Sequence, residues 1–126
     1  MIAGIGTDIV SIPRVEALVQ RYGDRFAKRI LSDVEYEEYL QVERAATFLA
    51  KRFAAKEAAA KALGTGFQLG IAKRDISVRH DDLGKPLLVV TGGSRVACER
   101  MQITRTWLSL SDEKHYALAF VVLETD

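Results

Sequence analysis

Along this chain the spacing of apolar side chains switches between strand-like alternation and helical periodicity. Ile2–Val10 reads as a strand, with Ile5, Thr7 and Ile9 on one face and Gly4, Gly6 and Asp8 on the other. Two glycines on the face that carries the carboxylate leave room for a backbone, a helix or a ligand to come close. A helix is expected next, from about Ile12 to Tyr22. Ser11 is its N-cap, Pro13 lies in its first turn, Val15, Leu18, Val19 and Tyr22 form its apolar stripe, and Gly23 stops it. Ser32-Asp33-Val34-Glu35 is a capping box opening a short helix that runs to about Leu40. After the polar link Glu43-Arg44, the longest helix is expected over Ala45–Leu63. It is rich in alanine, leucine, lysine and glutamate, with Gly64 in the position of a C-cap glycine.

The second half is β-rich. Asp75–Arg79 alternates as a strand, His80–Lys85 is turn-rich, and Pro86–Val90 begins the next strand. Gly92-Gly93 opens a helix to about Met101 or Gln102. Thr104–Leu110 alternates again, and His115–Leu123 is long and apolar enough to be a central strand. The order β-α-α-α-β-β-α-β-β, with short links between C-terminal strands, predicts an α+β fold: a mainly antiparallel sheet against a long central helix. Residues 1–126 read as a single domain, without internal repeats or low-complexity segments.

Composition narrows the class. Hydrophobic residues are 48% and charged residues 28%, a balance that argues against disorder. No apolar run approaches the length of a membrane span, and Met1–Val10 lacks the basic and long apolar regions of a signal peptide. Cys98 is the one cysteine, which excludes an internal disulfide and fits a cytoplasmic setting. Two histidines and one cysteine argue against zinc. The formal net charge of +1 lacks the footprint of a general nucleic-acid binder.

Within the long helix, Phe53, Glu57 and Lys61 are four apart and share a face, with Phe53 expected to anchor it to the core. By themselves Glu57 and Lys61 read as a surface ion pair, and Asp8 as a turn or capping carboxylate; something outside the helix is needed to overturn that. The glycines Gly64, Gly66 and Gly70 follow a helix rather than precede one, so the phosphate-cradle signal is weak and a plain connection is the better local reading. Arg14 and Arg21 share a face of the first helix, and Arg25, Lys28 and Arg29 extend the basic strip. This is either a solvated face or a dock for an acidic partner.

Two segments in this order carry a family resemblance. One is Gly4-Ile5-Gly6-Thr7-Asp8-Ile9-Val10 followed by Ile12-Pro13-Arg14-Val15-Glu16. The other is Arg52-Phe53-Ala54-Ala55-Lys56-Glu57-Ala58-Ala59-Ala60-Lys61-Ala62-Leu63-Gly64-Thr65-Gly66. Together they resemble the small 4′-phosphopantetheinyl transferases, the holo-acyl-carrier-protein synthases. Leu83-Gly84-Lys85-Pro86 and Leu108-Ser109-Leu110-Ser111-Asp112 extend the likeness over essentially the whole chain.

The resemblance implies transfer of the phosphopantetheine arm of coenzyme A to a serine of apo-acyl carrier protein, releasing adenosine 3′,5′-bisphosphate. It implies Asp8 and Glu57 as ligands of Mg2+, with Mn2+ a possible substitute, since hard ions take oxygen ligands from carboxylates, water and phosphate. Lys61 is the candidate for contacting the phosphoryl group in flight, and Glu57 the best-placed base, ahead of Glu35 and Asp33. Coenzyme A contacts are expected from Lys61, Arg52, Lys56, Gly64 and Gly66, with Arg44 and Lys51 further candidates for its adenine end. Arg14, Arg21, Arg25 and Lys28 become a docking strip for the acidic carrier. Where part of the family has a histidine after the Leu-Ser strand, this chain has Asp112, and His115 reads as a strand-edge residue. By analogy the resemblance also implies a homotrimer with active sites between neighbours. A non-catalytic carrier-binding module on the same fold would keep the basic helix but would not need both carboxylates.

Overall fold

The computed structural model describes residues 1–126. Strand β1 (Ile2–Ser11) leads directly into helix α1 (Ile12–Tyr22), followed by α2 (Asp24–Ile30), α3 (Asp33–Tyr39) and the long α4 (Ala45–Leu63). A 3₁₀ turn at Lys73–Asp75 precedes strands β2 (Ile76–His80) and β3 (Pro86–Val90), helix α5 (Gly92–Arg100), and strands β4 (Ile103–Asp112) and β5 (Tyr116–Thr125). The fold is α+β and all strand pairing is antiparallel. The strands form two sheets: a three-stranded sheet ordered β1-β5-β4, and a separate β2-β3 hairpin. β5 is central, as its apolar run predicts.

The bounds of α4 match the sequence expectation, and Gly64 caps it in the left-handed region at φ 77°. The capping box also forms: Glu35 N–H donates to Ser32 Oγ, and Ser32 N–H donates to Glu35 Oε1. Helix α2 was expected only as a basic segment. Its seven residues give too few turns for an apolar stripe to stand out, although Ala27 and Ile30 are buried.

Alanine makes α4 slim enough to lie directly on the sheet. Ala54, Ala55, Ala58, Ala59 and Ala62 are buried, as are Ala117 and Ala119 of β5. On β1 the two glycines meet the helix backbone itself. A Cβ on Gly4 would stand 2.0 Å from the Ala62 carbonyl oxygen, and one on Gly6 would stand 2.0 Å from that of Ala58. The glycine face of β1 is therefore the inner one, and the helix is what approaches it. Ile5 and Ile9 consequently face outward, 60% and 61% exposed. They lie in register with Val122 and Leu118 of β5, and Trp107 and Phe120 continue an exposed apolar surface across the sheet.

On its other side α4 sends charge into the core. Glu35 of α3 is fully buried. It accepts from Lys56 Nζ at 2.6 Å, Val78 N–H at 3.0 Å and the Ser32 hydroxyl at 3.2 Å. Lys56 Nζ also donates to the Lys73 carbonyl at 3.0 Å and to that of Ile76. One carboxylate and one ammonium thus tie α3, α4 and β2 together.

Candidate active site

The C-terminal part of β1, α1 and α4 enclose a cleft of about 340 Å³, walled by Val15, Leu18, Phe26 and Phe53 and carrying Asp8, Arg14 and Glu57. Strand alternation places Asp8 on the glycine face, so its side chain points toward α4 and is only 16% exposed. Glu57 reaches the same cleft from the helix. Phe53, one turn earlier, is half-buried and forms cleft wall as well as packing on the core.

Each carboxylate has its own lysine. Lys61 Nζ donates to Asp8 Oδ1 at 3.1 Å and to the Thr7 carbonyl at 3.0 Å. Lys73 Nζ lies 3.9 Å from Glu57 Oε1. The expected helix-surface pair of Glu57 with Lys61 is not made, because Lys61 crosses to the strand instead. Burial pushes the Glu57 carboxyl above its ordinary range, and the Asp8 charge adds to this; Lys73 and, less strongly, Lys61 oppose it.

The side chains gathered here suit a hard divalent ion. Two carboxylates converge, and no group of three histidine, cysteine or acidic side chains capable of holding a metal exists anywhere in the chain. An ion held here would take its remaining ligands from water and substrate phosphate, as Mg2+ characteristically does.

Two of the expected coenzyme A contacts are corrected. Lys56 is fully buried, with Glu35 and two carbonyls as acceptors, and has no donor free for a ligand. Arg52 is 3% exposed. Its guanidinium lies over the Phe48 ring, 4.3 Å from the centroid, and pairs with Glu35 and Glu38. Its Nε, 3.4 Å from Glu35 Oε2, forms an ion pair without an aligned hydrogen bond. Both residues occupy the helix face next to the one carrying Glu57, and that face is turned into the core.

The two lesser base candidates are also placed away from the cleft. Glu35 is enclosed by its donors, and Asp33 is on the surface, paired with Arg74 at 2.6 Å. Gly64 and Gly66 adopt left-handed conformations where the chain leaves α4, outside the cleft lining. Lys51 pairs with Asp112 at 3.2 Å, and Arg44 lines a separate groove with Glu16 and Lys114. Of the basic strip, Arg14 reaches the cleft, Arg21 and Arg25 are exposed, and Lys28 lies over the Tyr36 ring. His115 is exposed just before β5, as expected of a strand-edge residue. Sequence reasoning missed Phe26, which lines the cleft, and Phe67 and Lys73, which line an adjoining pocket that shares Phe26 and Phe53 with it; no spacing rule links them to Glu57.

The family model for the 4′-phosphopantetheinyl transferase superfamily matches residues 4–121. A holo-[acyl-carrier-protein] synthase of Vibrio cholerae is 51% identical over 124 residues, 98% of each chain. The crystal structure of holo-[acyl-carrier-protein] synthase from Neisseria meningitidis superposes with a TM-score of 0.94 at 47% identity, covering 99% of this chain and 100% of that one. A Bacillus anthracis holo-(acyl-carrier-protein) synthase, solved in complex with CoA (3′,5′-ADP), superposes with a TM-score of 0.84 at 39% identity, covering 100% of this chain and 99% of that one. A matching profile over almost the full length, close relatives of equal length and a shared fold leave one conclusion: this chain is a transferase belonging to the 4′-phosphopantetheinyl transferase superfamily, of the short holo-acyl-carrier-protein synthase type.

Proposed function

We propose that this protein transfers 4′-phosphopantetheine from coenzyme A to a serine of apo-acyl carrier protein, releases adenosine 3′,5′-bisphosphate, depends on Mg2+ and serves fatty acid biosynthesis in the cytoplasm. The observation that carries the reading is the convergence of Asp8 from β1 and Glu57 from α4 on one cleft, with Lys61 bonded to Asp8. Relatives solved with coenzyme A or its 3′,5′-ADP portion support the donor. No helix is long and apolar enough to cross a membrane.

In this mechanism the carrier serine oxygen attacks the phosphorus next to pantetheine. The new P–O bond forms as the bond to the bridging oxygen breaks, and the bisphosphate departs with that oxygen. Asp8 and Glu57 would hold the divalent ion, which when bound neutralises charge on the pyrophosphate. Lys61, more than half exposed, supplies a compact cation for the phosphoryl oxygens. Glu57, or a water hydrogen-bonded to it, takes the serine proton. Phe26, Phe53 and Leu18 exclude water from one side of the cleft. Arg14, Arg21, Arg25 and Lys28 receive the acidic carrier, a contact that weakens with salt.

The test is intact-mass spectrometry of an apo-acyl carrier protein incubated with this protein, coenzyme A and Mg2+. The carrier is expected to gain the mass of one phosphopantetheine, and both EDTA and a Ser→Ala carrier should abolish the gain. No gain across several carriers, with the protein folded, would leave a non-catalytic binding module as the better reading.

The exposed apolar surface of Ile5, Ile9, Trp107, Leu118 and Phe120 supports a homotrimer in which neighbours cover this sheet face. Sedimentation is expected at three protomer masses; a monomer at micromolar concentration would rule the assembly out.

A further inference from the structure

Lys73 belongs to no motif of the sequence, yet its position is closely determined. Its backbone sits in the 3₁₀ turn Lys73–Asp75, and Lys56 Nζ donates to its carbonyl at 3.0 Å. The turn is therefore bonded to α4 one residue before Glu57. From there the side chain passes over two rings, Phe67 of the adjoining pocket and Phe53, which that pocket shares with the cleft. Nζ is 3.9 Å from the Phe67 ring centroid and 5.8 Å from that of Phe53, and it stops 3.9 Å from Glu57 Oε1. The ammonium thus rests on aromatic faces beside a carboxylate and makes no hydrogen bond to it.

The two lysines paired with the cleft carboxylates differ in kind. Lys61 is 54% exposed and hydrogen-bonded to Asp8 and Thr7, so water screens much of its charge. The Lys73 and Glu57 side chains are 28% and 27% exposed, so their attraction is screened less. A divalent ion arriving at Glu57 meets an ammonium already in place, and the two cations repel. The Phe67 face gives the ammonium somewhere to stay when the carboxylate is taken.

We propose that Lys73 is the built-in counter-ion of Glu57, which a divalent ion must displace, so that Lys73 sets how tightly the site holds its metal. This rests on the reading of Asp8 and Glu57 as metal ligands. Lys73 acts through Glu57 and is a positioning residue, distinct from the groups that touch the reacting phosphate.

The test is binding of Mn2+, followed by electron paramagnetic resonance of the free ion, to the whole protein without coenzyme A or carrier. Lys73→Met and Lys73→Gln remove the charge and keep most of the side-chain length; Lys73→Arg keeps the charge. With folding verified by circular dichroism, the Met and Gln variants are expected to bind Mn2+ about fivefold more tightly than wild type, the scale of a partly screened ion pair. The Arg variant should stay within about twofold of wild type, and high salt should narrow the gap between wild type and the neutral variants. A side chain with only a packing role would move none of these. Equal or weaker binding by the folded Met and Gln variants overturns the inference, provided that wild-type binding is lost in Asp8→Ala. Wild-type binding indifferent to Asp8→Ala overturns the metal reading itself, and this inference with it.

Discussion

Replacing Glu35 with alanine is expected to remove about 3–5 kcal/mol of folding stability, the usual cost of leaving one member of a buried ion pair without its partner. Against a total of about 5–15 kcal/mol for a domain, that leaves a protein close to unfolding. The size of the effect follows from what Glu35 holds. It accepts from Lys56, Val78 and Ser32 and pairs with Arg52, joining α3, α4 and the β2-β3 hairpin at a point that water does not reach. Without the carboxylate, Lys56 keeps its two carbonyl acceptors but loses its counter-charge in the core.

Burial already holds the Lys56 ammonium below the ordinary lysine range, and Glu35 is the main influence pulling it back up. Removing Glu35 lowers it further. Between the folded and unfolded values the unfolded chain then binds more protons, so the stability of the variant should rise with pH toward the ordinary lysine pKa. Urea unfolding at two pH values measures both effects. A midpoint unchanged from wild type would show that the cluster contributes no net stability.

Glu57→Gln is expected to lower turnover by about 10²–10³-fold while leaving folding intact, the scale for losing one positioned charge at a reacting centre. The substitution keeps volume and hydrogen-bonding capacity, so it isolates the negative charge. Glu57 is partly exposed at the edge of α4, and its only ion-pair partner is Lys73, so the helix does not depend on it for packing. On the proposed reading the two carboxylates hold one ion and neither replaces the other, so Asp8→Asn should fall in the same range. The double variant should then lose far less than the product of the single losses. Rates of carrier mass gain at saturating coenzyme A and Mg2+ check all three. A Glu57→Gln protein that retained more than about a tenth of wild-type turnover would remove Glu57 from both of its proposed roles.

Much of this protein was determined by local sequence. The extent of α4 follows from a run of strong helix formers ending at a glycine that must be left-handed, and the start of α3 from a capping box whose bonds close within four residues. The placement of Asp8 on the glycine face of β1, and of Phe53, Glu57 and Lys61 on one face of α4, follows from strand and helix periods that hold whatever surrounds them.

What those periods leave open is what stands opposite each face, and there only tertiary structure decided. The inner face of β1 is the one with glycines because α4 needs backbone-to-backbone distance, and the isoleucines are consequently left outside. Arg52 and Lys56 look like surface cations in sequence, but Glu35 from another helix makes their burial affordable. Lys61 turns to Asp8 rather than to Glu57 because β1 runs alongside, and Glu57 meets Lys73, sixteen positions away, because Lys56 draws that turn against the helix. Propensity and periodicity act over a few residues, whereas a charge inside a protein takes whichever opposite charge the packed fold brings within reach.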